Sequence, residues 1–447
     1  MSPSHRYPHG KLLYRALDRA FPLVVRGEGC WLFDEDGRRY LDACGGAFAA
    51  TLGHGQTEIA RALAEQAARV AYVNGTAFTN APAEELAEAL AALLPKGLDH
   101  VYFLCSGSEA VEAALKIARQ HFVESGRPEK HKIIACAPGY HGNTLLALSA
   151  SARPHYRALF GPWLVPVRMI PAPYPYRLPP GSPALSAEAL EEAILSEGPG
   201  TVAAFIAEPV GGTSTGASVP PADYYRQVRE VCDRHEVLFV ADEVLCGCGR
   251  TGRFSALEHF GVVPDLMTLG KGLSGGYAPL SAVAATERVL APIARGSGAV
   301  RHAQTFSHTP VICAVGLAAL RFLVKHDLVR RAAAEGELLQ AKLAALRESP
   351  AVGDVRGQGL LAGVEFVADR ATRAPFPRAL RFAETFAARA LEVGLVVWPG
   401  TGHAGGGDGD LAMIAPPFVV TEEELDLVVA LFRRALALTL EACRVHP

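Results

Sequence analysis

The stretch Leu238-Phe-Val-Ala-Asp-Glu-Val244 places two carboxylates at the end of an apolar run, and it indicates the fold. Residues 238–241 have the continuous apolar character of a strand that is buried on both faces of a sheet. In an open α/β sheet, ligands bind beyond the carboxyl ends of such strands. A carboxylate at that place needs a cation or a hydrogen-bond donor, because a buried unpaired charge is costly. On these residues alone, Asp242 and Glu243 form either a ligand site or a structural cap or salt bridge.

Apolar strand-like runs alternate with helical patterns through the middle of the chain, which predicts an α/β fold with a mostly parallel central sheet. The runs are residues 101–104, 132–135, 202–207, 238–241, 266–269 and 280–284. One helix is predicted over residues 111–123, after the run at 101–104, and another from Pro221 to His235, directly before the run at 238–241.

Both ends of the chain have a different pattern. Beyond residue 325, long helices are predicted at 328–346, 379–393 and 422–443, with short strands at 360–366 and 394–398. Residues 31–41 predict a hairpin that turns at Asp36-Gly37. We therefore predict a large α/β domain over residues 62–325, and a smaller α+β domain built from residues 1–61 and 326–447. The proline-rich residues 174–183 and the glycine-rich residues 400–409 are predicted loops.

Composition limits the class of protein. The 447 residues carry 43 Lys and Arg against 46 Asp and Glu, a net charge of −3, which argues against electrostatic binding of nucleic acid. The most apolar stretch, residues 311–324, contains Arg321 and is shorter than a membrane span, and no secretory signal is expected. Nine cysteines suit neither a disulfide framework nor, at Cys246-Gly-Cys248, a zinc site. We predict a cytoplasmic protein with reduced thiols and no metal, nucleic-acid or membrane partner.

A second motif, Ser106-Gly107-Ser108-Glu109, lies between the strand at 101–104 and a helix. The spacing of Ser106 and Glu109 is that of a capping box. Free N–H groups at a helix N-terminus, with hydroxyls beside them, also form an anion site suited to a phosphate. Both interpretations remain open on this segment alone.

Lys271 lies between two glycines, directly after the apolar residues 266–269. A partly desolvated lysine has a lowered pKa and can form a Schiff base, whereas the alternative is an exposed loop lysine. A phosphate cradle, the strand-end Asp242 and this lysine are together the parts that pyridoxal phosphate requires for its phosphate, its ring nitrogen and its aldehyde. Tyr140 could stack on the ring; otherwise it is an ordinary loop tyrosine.

The sequence resembles the class III aminotransferases, which are pyridoxal-phosphate enzymes of fold type I. The resemblance covers nearly the whole chain, and its motif series is highly specific. The matching segments are Ser106-Gly-Ser-Glu-Ala110, Gly139-Tyr-His-Gly-Asn-Thr144, Ala207-Glu-Pro209, Ala241-Asp-Glu-Val244, Gly249-Arg-Thr-Gly252, Gly270-Lys-Gly272 and Thr305-Phe-Ser-His-Thr-Pro310, with Leu41-Asp42 and Ala415-Pro-Pro417.

The resemblance implies a role for each matching residue. Lys271 would carry the cofactor pyridoxal 5′-phosphate and move the proton, and Asp242 would keep the ring nitrogen protonated. The other cofactor-binding residues would be Gly107 and Ser108 at the phosphate, Tyr140 and Val244 on the two faces of the ring, His141 and Glu208 around it, and Thr305 at the phosphate of the neighbouring subunit. An obligate homodimer with shared active sites follows from the position of Thr305.

The implied reaction is ping-pong transamination, from a primary amine or ω-amino acid to an oxo acid such as pyruvate. Leu52-Gly-His54, Phe78 and Trp163 are substrate-side candidates, although an aromatic such as Trp163 packs more often in a core. Many family members carry an arginine near Gly406 that binds a substrate carboxylate, whereas this chain has only glycine and Asp408 there. Other reactions of the same cofactor (aminomutase, decarboxylase, amino-acid epimerase) and a non-catalytic homologue are the alternatives.

Overall fold

The computed structural model of the protein describes residues 5–405 and 407–444, which form three β-sheets and their connecting helices. The strands are β1 (Val24–Glu28), β2 (Trp31–Asp34), β3 (Arg39–Asp42), β4 (His100–Leu104), β5 (Lys132–Ala137), β6 (Arg168–Pro171), β7 (Val202–Ala207), β8 (Leu238–Asp242), β9 (Leu266–Leu269), β10 (Ser281–Ala285), β11 (Val352–Gln358), β12 (Leu361–Phe366), β13 (Leu395–Val396), β14 (Trp398–Thr401) and β15 (Asp410–Ile414). The helices are α1 (Gly45–Phe48), α2 (Thr57–Arg69), α3 (Ala81–Ala91), α4 (Gly107–Glu124), α5 (Leu145–Ser149), α6 (Pro154–Phe160), α7 (Glu188–Glu197), α8 (Tyr224–Arg234), α9 (Glu287–Arg295), α10 (Pro310–Lys325), α11 (Leu328–Ala344), α12 (Phe382–Glu392) and α13 (Glu422–Ala442).

The central sheet has seven strands in the order β4-β10-β9-β8-β7-β5-β6. Only β10 runs against the others: it pairs antiparallel with both β4 and β9, while the remaining pairs are parallel. Strands β7, β8 and β9 are buried along their whole length, because helices cover both faces of the sheet. The predicted α/β fold with a mostly parallel sheet is confirmed.

Two smaller sheets are built from the ends of the chain. One has the order β1-β2-β3-β13, and its parallel β3–β13 pair joins the predicted N-terminal hairpin to a C-terminal segment. The other is antiparallel, with the order β11-β12-β15-β14. The division at residues 62 and 325 into a large and a small domain stays a prediction.

Several sequence-based boundaries differ from the structure where a cap or a strand pair decides them. Helix α4 begins at Gly107 rather than at residue 111, because Ser106 caps it. The predicted loop at 400–409 begins inside β14, which pairs with β15. Tyr174, expected in a surface loop, is buried and donates a hydrogen bond to Glu365.

The described residues show no helix long and apolar enough to cross a membrane. The nine cysteines are all free thiols, and seven of them are buried; Cys105 and Cys443 are partly exposed.

Lys130 joins three parts of the central sheet through its ammonium group. The side chain is buried, and Nζ lies 3.0 Å from the carbonyl oxygens of Pro199, Val202, His235 and Glu236. Val202 begins β7, whereas His235 and Glu236 connect α8 to β8. The charge of Lys130 is therefore matched by carbonyl dipoles rather than by a carboxylate.

Replacing Lys130 by methionine should remove the donor and leave buried carbonyl groups without a partner. We expect Lys130→Met to lower the free energy of unfolding by about 3 kcal/mol, measured by chemical denaturation. The matched control is Lys116→Met, which changes an exposed lysine on α4 and should stay within about 0.5 kcal/mol of the parent protein. Equal stability of the two variants would contradict this role of Lys130.

Candidate active site

Loops that follow five strands of the central sheet line one cavity of 270 Å³. These strands, β4, β5, β7, β8 and β9, all point their carboxyl ends to the same edge of the sheet. Eight of the nine predicted site residues meet there: Gly107, Ser108, Tyr140, His141, Glu208, Asp242, Val244 and Lys271. The ninth, Thr305, does not line this cavity.

Asp242, the last residue of β8, is buried and held by three hydrogen bonds. Thr268 Oγ1 and the backbone N–H of Val244 donate to Oδ1, at 3.0 and 3.1 Å. His141 Nδ1 lies 2.7 Å from Oδ2. Burial by itself lowers the pKa of His141, but the hydrogen bond to Asp242 and its negative charge outweigh burial and raise that pKa above its usual value. The carboxylate therefore makes the His141 imidazole hold its proton more strongly than a free imidazole does.

Lys271 follows β9 and has a backbone φ of +43°, in the left-handed region that costs a non-glycine residue energy. Its Nζ lies 5.3 Å from the centre of the Phe48 ring. Burial lowers the pKa of Lys271 to about 8, although the carboxylates of Asp242 and Glu208 act in the opposite direction. A lysine in this state is a neutral nucleophile far more often than an exposed one.

The N-terminus of α4 combines a helix cap with free N–H groups. Ser106 Oγ accepts a hydrogen bond from the N–H of Glu109 at 3.3 Å, and the Glu109 carboxylate accepts one from the N–H of Cys105 at 3.1 Å. The N–H groups of Gly107 and Ser108 have no acceptor within residues 5–405 and 407–444. The cap and the anion site predicted from the sequence are therefore compatible, because they use different N–H groups.

Close contacts shape this anion-binding end of the cavity. A Cβ at Gly107 would lie 2.6 Å from Val244 Cγ1, and one at Gly142 would lie 2.6 Å from Ser108 Oγ. The Ser108 hydroxyl is in turn bonded to Asn143, accepting from its N–H at 3.0 Å and donating to its Oδ1 at 2.9 Å. Only glycine fits at these two approaches, so the loops after β4, β5 and β8 fit closely together.

Glu208, which follows β7, connects the loop that contains Gly212 to the loop that contains Tyr140. Its Oε1 accepts from the N–H of Gly212 at 3.0 Å, and its Oε2 accepts from the N–H of Tyr140 at 3.3 Å. Burial raises the pKa of Glu208 above its usual value.

The neighbouring carboxylate, Glu243, has a structural role. It is fully buried and accepts hydrogen bonds from Ser255 Oγ at 2.6 Å and from the N–H groups of Ala256 and Leu257 at 2.8 and 3.0 Å. Burial raises its pKa to about 7. Each of the two roles predicted for the acidic pair is therefore filled by one residue. Asp242 faces the cavity as a ligand site would require, and Glu243 caps the turn at 256–260.

Several side chains that the sequence pattern does not indicate also line the cavity, among them Phe48, Arg153 and Trp398. The rings of Phe48 and Trp398 lie 5.6 Å apart, and the Arg153 guanidinium lies 5.0 Å from the centre of the Tyr140 ring. Arg153 precedes Pro154 at the start of the short helix α6. Nothing in that local pattern distinguishes it from a surface arginine.

The weaker substrate-side candidates lie outside the cavity. Phe78 and Trp163 are 67% and 69% exposed, so packing of Trp163 in a core is wrong. Leu52 is buried, and His54 Nε2 lies 3.2 Å from Asp42 Oδ2. Gly406, where many relatives have an arginine, lies outside the described residues.

A larger cavity of 940 Å³ lies elsewhere, between α4 and the strands β5 to β7. It contains none of the predicted site residues, although Lys116, Arg119 and Arg301 line it. In the described part of the chain, no group of three or more His, Cys, Asp or Glu side chains is placed to hold a metal ion.

Comparisons with known proteins agree with this geometry. The family model of the class III aminotransferases matches residues 14–436. An uncharacterized aminotransferase of Bacillus subtilis (strain 168), YodT, is 37% identical over 431 residues, which are 95% of this chain and 97% of that protein. An (S)-enantioselective ω-transaminase from Thermomicrobium roseum has a TM-score of 0.89 at 36% identity, covering 97% of both chains. The ω-transaminase of Pseudomonas jessenii, solved in complex with PMP, has a TM-score of 0.87 at 33% identity, covering 96% of this chain and 95% of its own.

The residues around the cavity fit the cofactor of this family. The unpaired N–H groups at the start of α4 suit a phosphate, the buried Asp242 suits a protonated ring nitrogen, and the lysine with a lowered pKa suits an aldehyde. The family match, the overall fold and the polar groups around the cavity therefore support the same assignment. The chain belongs to the class III aminotransferases, which depend on pyridoxal 5′-phosphate.

Proposed function

We propose that this aminotransferase moves an amino group from a primary amine or ω-amino acid to an oxo acid such as pyruvate, by a ping-pong mechanism. The observation that carries the proposal is the single cavity in which Lys271 faces the Asp242–His141 pair. Because Lys271 would move the proton in both half-reactions, donor and acceptor must each occupy the cavity in turn. The ω-transaminase names of similar structures support a donor of this class.

Pyridoxal phosphate supplies an electron sink that stabilises the carbon from which a proton is removed. Gly107 and Ser108 would bind its phosphate through their N–H groups, with Tyr140 and Val244 on the two faces of its ring. Asp242 would hold the ring nitrogen protonated, and His141 and Thr268 keep its carboxylate oriented. Lys271 would bind the reactive carbon and, as a neutral amine, carry the proton between substrate and cofactor atoms.

Part of the cavity wall is apolar and favours the carbon skeleton of an amine. Phe48 and Trp398 form it, and Leu245 lines the cavity beside them. Such a wall excludes water and strengthens the electrostatic interactions inside the site.

A homodimer with shared active sites is part of the proposal. Thr305 is exposed and next to Phe306, which is 55% exposed and lies 6.1 Å from the ring of Tyr72. Phe78 adds a further exposed aromatic side chain. Aromatic side chains are enriched where subunits meet, and Thr305 would reach the cofactor phosphate of the neighbouring subunit. A cytoplasmic location is also proposed, and the nine free thiols support a reducing compartment.

A donor screen tests the function. We expect primary amines and ω-amino acids to convert the cofactor faster than L-glutamate or L-aspartate, because the apolar wall of Phe48 and Trp398 leaves a second carboxylate unpaired. The measurement is the absorbance change of the donor half-reaction, with release of carbon dioxide and racemisation followed in parallel. A preference for L-glutamate or L-aspartate over every amine tested would overturn the proposal.

The lowered pKa of Lys271 predicts a pH profile. Below about 8 the amine is protonated and unreactive, and above it the amine is neutral, so cofactor uptake by the apoenzyme should accelerate as the pH rises through about 8. Stopped-flow absorbance measures this rate. A rate still rising near pH 10.5, the ordinary pKa of lysine, would contradict the effect of burial.

Lys271→Ala should fold normally but form no borohydride-reducible bond to the cofactor.

Asp242→Asn should keep the cofactor bound but slow the donor half-reaction. The substitution removes the negative charge that favours a protonated ring nitrogen, and it lowers the pKa of His141 towards its usual value. Losing one charge-assisted hydrogen bond costs about 1.5–3 kcal/mol, so the rate should fall by at least about tenfold. A rate within experimental error of the parent enzyme would refute this role of Asp242.

A further inference from the structure

The lining of the cavity beyond the reactive lysine includes two unlike groups. Phe48 and Trp398 form an apolar aromatic wall, and Arg153 contributes a guanidinium. Arg153 forms no ion pair with a carboxylate anywhere in residues 5–405 and 407–444, although it is partly buried. A partly buried cation without a counter-ion is costly unless a ligand supplies the negative charge.

Two hydrogen bonds to neighbouring hydroxyl groups fix the orientation of the Arg153 guanidinium. Its Nε donates to Ser214 Oγ at 3.2 Å and its Nη2 donates to Thr213 Oγ1; both hydroxyl residues are buried. The loop that carries these two hydroxyl groups also bonds to Arg356, whose Nε donates to the carbonyl oxygen of Thr215 at 3.2 Å. These contacts direct the guanidinium before any ligand arrives, which lowers the entropy lost on binding.

The remaining part of the guanidinium is available to a ligand. Nη1 of Arg153 has no hydrogen-bond partner among the described residues, and the Tyr140 ring covers one face of the group at 5.0 Å. Burial lowers the pKa of Arg153, while the charge of Glu208 acts in the opposite direction. The positive charge of Arg153 also helps to lower the pKa of Lys271, as expected if the two share one cavity.

We propose that Arg153 binds the carboxylate of the oxo-acid acceptor. The inference rests on the proposed transamination and adds its substrate class: monocarboxylic 2-oxo acids, whose single charge pairs with Arg153 while the rest of the molecule meets the aromatic wall. A planar guanidinium binds a carboxylate through paired hydrogen bonds, which also orient the adjacent carbonyl carbon. An amine without a carboxylate uses the same cavity through Phe48 and Trp398 and makes no demand on Arg153.

Arg15 is the competing cation. It lines the same cavity but is exposed, and it has no hydrogen bond to any described residue. Its charge is therefore screened by water, and its side chain would have to be ordered on binding. The structure favours Arg153 on both grounds.

The test separates substrates with and without a carboxylate. On the aminated holoenzyme, Arg153→Met should raise the half-saturating concentration of pyruvate by at least about 30-fold, and inhibition by propionate should weaken by a similar factor. The rate with benzaldehyde, an acceptor without a carboxylate, should stay within about threefold. Arg153→Lys should be intermediate, since it keeps the charge but loses the paired hydrogen bonds. Arg168→Met, an exposed arginine of β6 outside this cavity, is the matched control.

Three results would overturn the proposal. Equal losses for pyruvate and benzaldehyde would mean that Arg153 only positions Tyr140. No change for either acceptor would place the carboxylate elsewhere, and a loss of pyruvate affinity in Arg15→Met alone would transfer the role to Arg15. If the parent enzyme transfers no amino group from any amine, the proposed function fails; calorimetric binding of propionate to the parent protein and to Arg153→Met still decides the role of Arg153.

Discussion

The hydrogen bond between Asp242 and His141, buried at the carboxyl end of β8, is the interaction on which the arrangement of the site depends. It joins the last residue of one central strand to the loop after β5, and Thr268 of β9 completes it from the other side. The carboxylate is therefore held by β8, by its neighbour β9 and by the loop after β5, which lies two strands away from β8. Because the bond is 2.7 Å long and excluded from water, it fixes the orientation of the Asp242 carboxylate and stabilises the proton of His141.

The surroundings of each ionisable group set its charge. Burial favours the neutral amine of Lys271 and the neutral acid of Glu243, whereas His141 is buried as well and yet has a raised pKa, because Asp242 touches it. The two buried groups differ in their hydrogen-bond partners. Glu243 accepts from a hydroxyl and from neutral N–H groups, whereas His141 is bonded to the carboxylate of Asp242. A nucleophile and a proton-holding pair thus lie in one cavity without neutralising each other.

The two kinds of side chain that line the cavity explain how one site can accept chemically different substrates. Phe48 and Trp398 provide apolar area without charge, and Arg153 provides charge that Thr213 and Ser214 hold in place. The glycine run from Gly405 to Gly409 has no arginine for this purpose. The cation that we propose for this purpose is Arg153, directly before α6, with its guanidinium 5.0 Å from the centre of the Tyr140 ring.

The sequence by itself determined the strands at 202–207 and 266–269 and the positions of Asp242 and Lys271 at strand ends, because a buried parallel strand is a continuous apolar run and its polar successor must lie at the sheet edge. The strand-end pattern left open which carboxylate of the Asp242-Glu243 pair faces the cavity. The family resemblance named Asp242, and the tertiary structure places Asp242 at the cavity while Glu243 bonds to the turn at 256–260. Only the tertiary structure decided the roles of Arg153 and Trp163, one brought to Tyr140 and the other left on the surface. Those outcomes depend on contacts between residues far apart in the chain, such as Arg153 with Ser214 and Phe48 with Trp398, and a local pattern carries no information about such contacts.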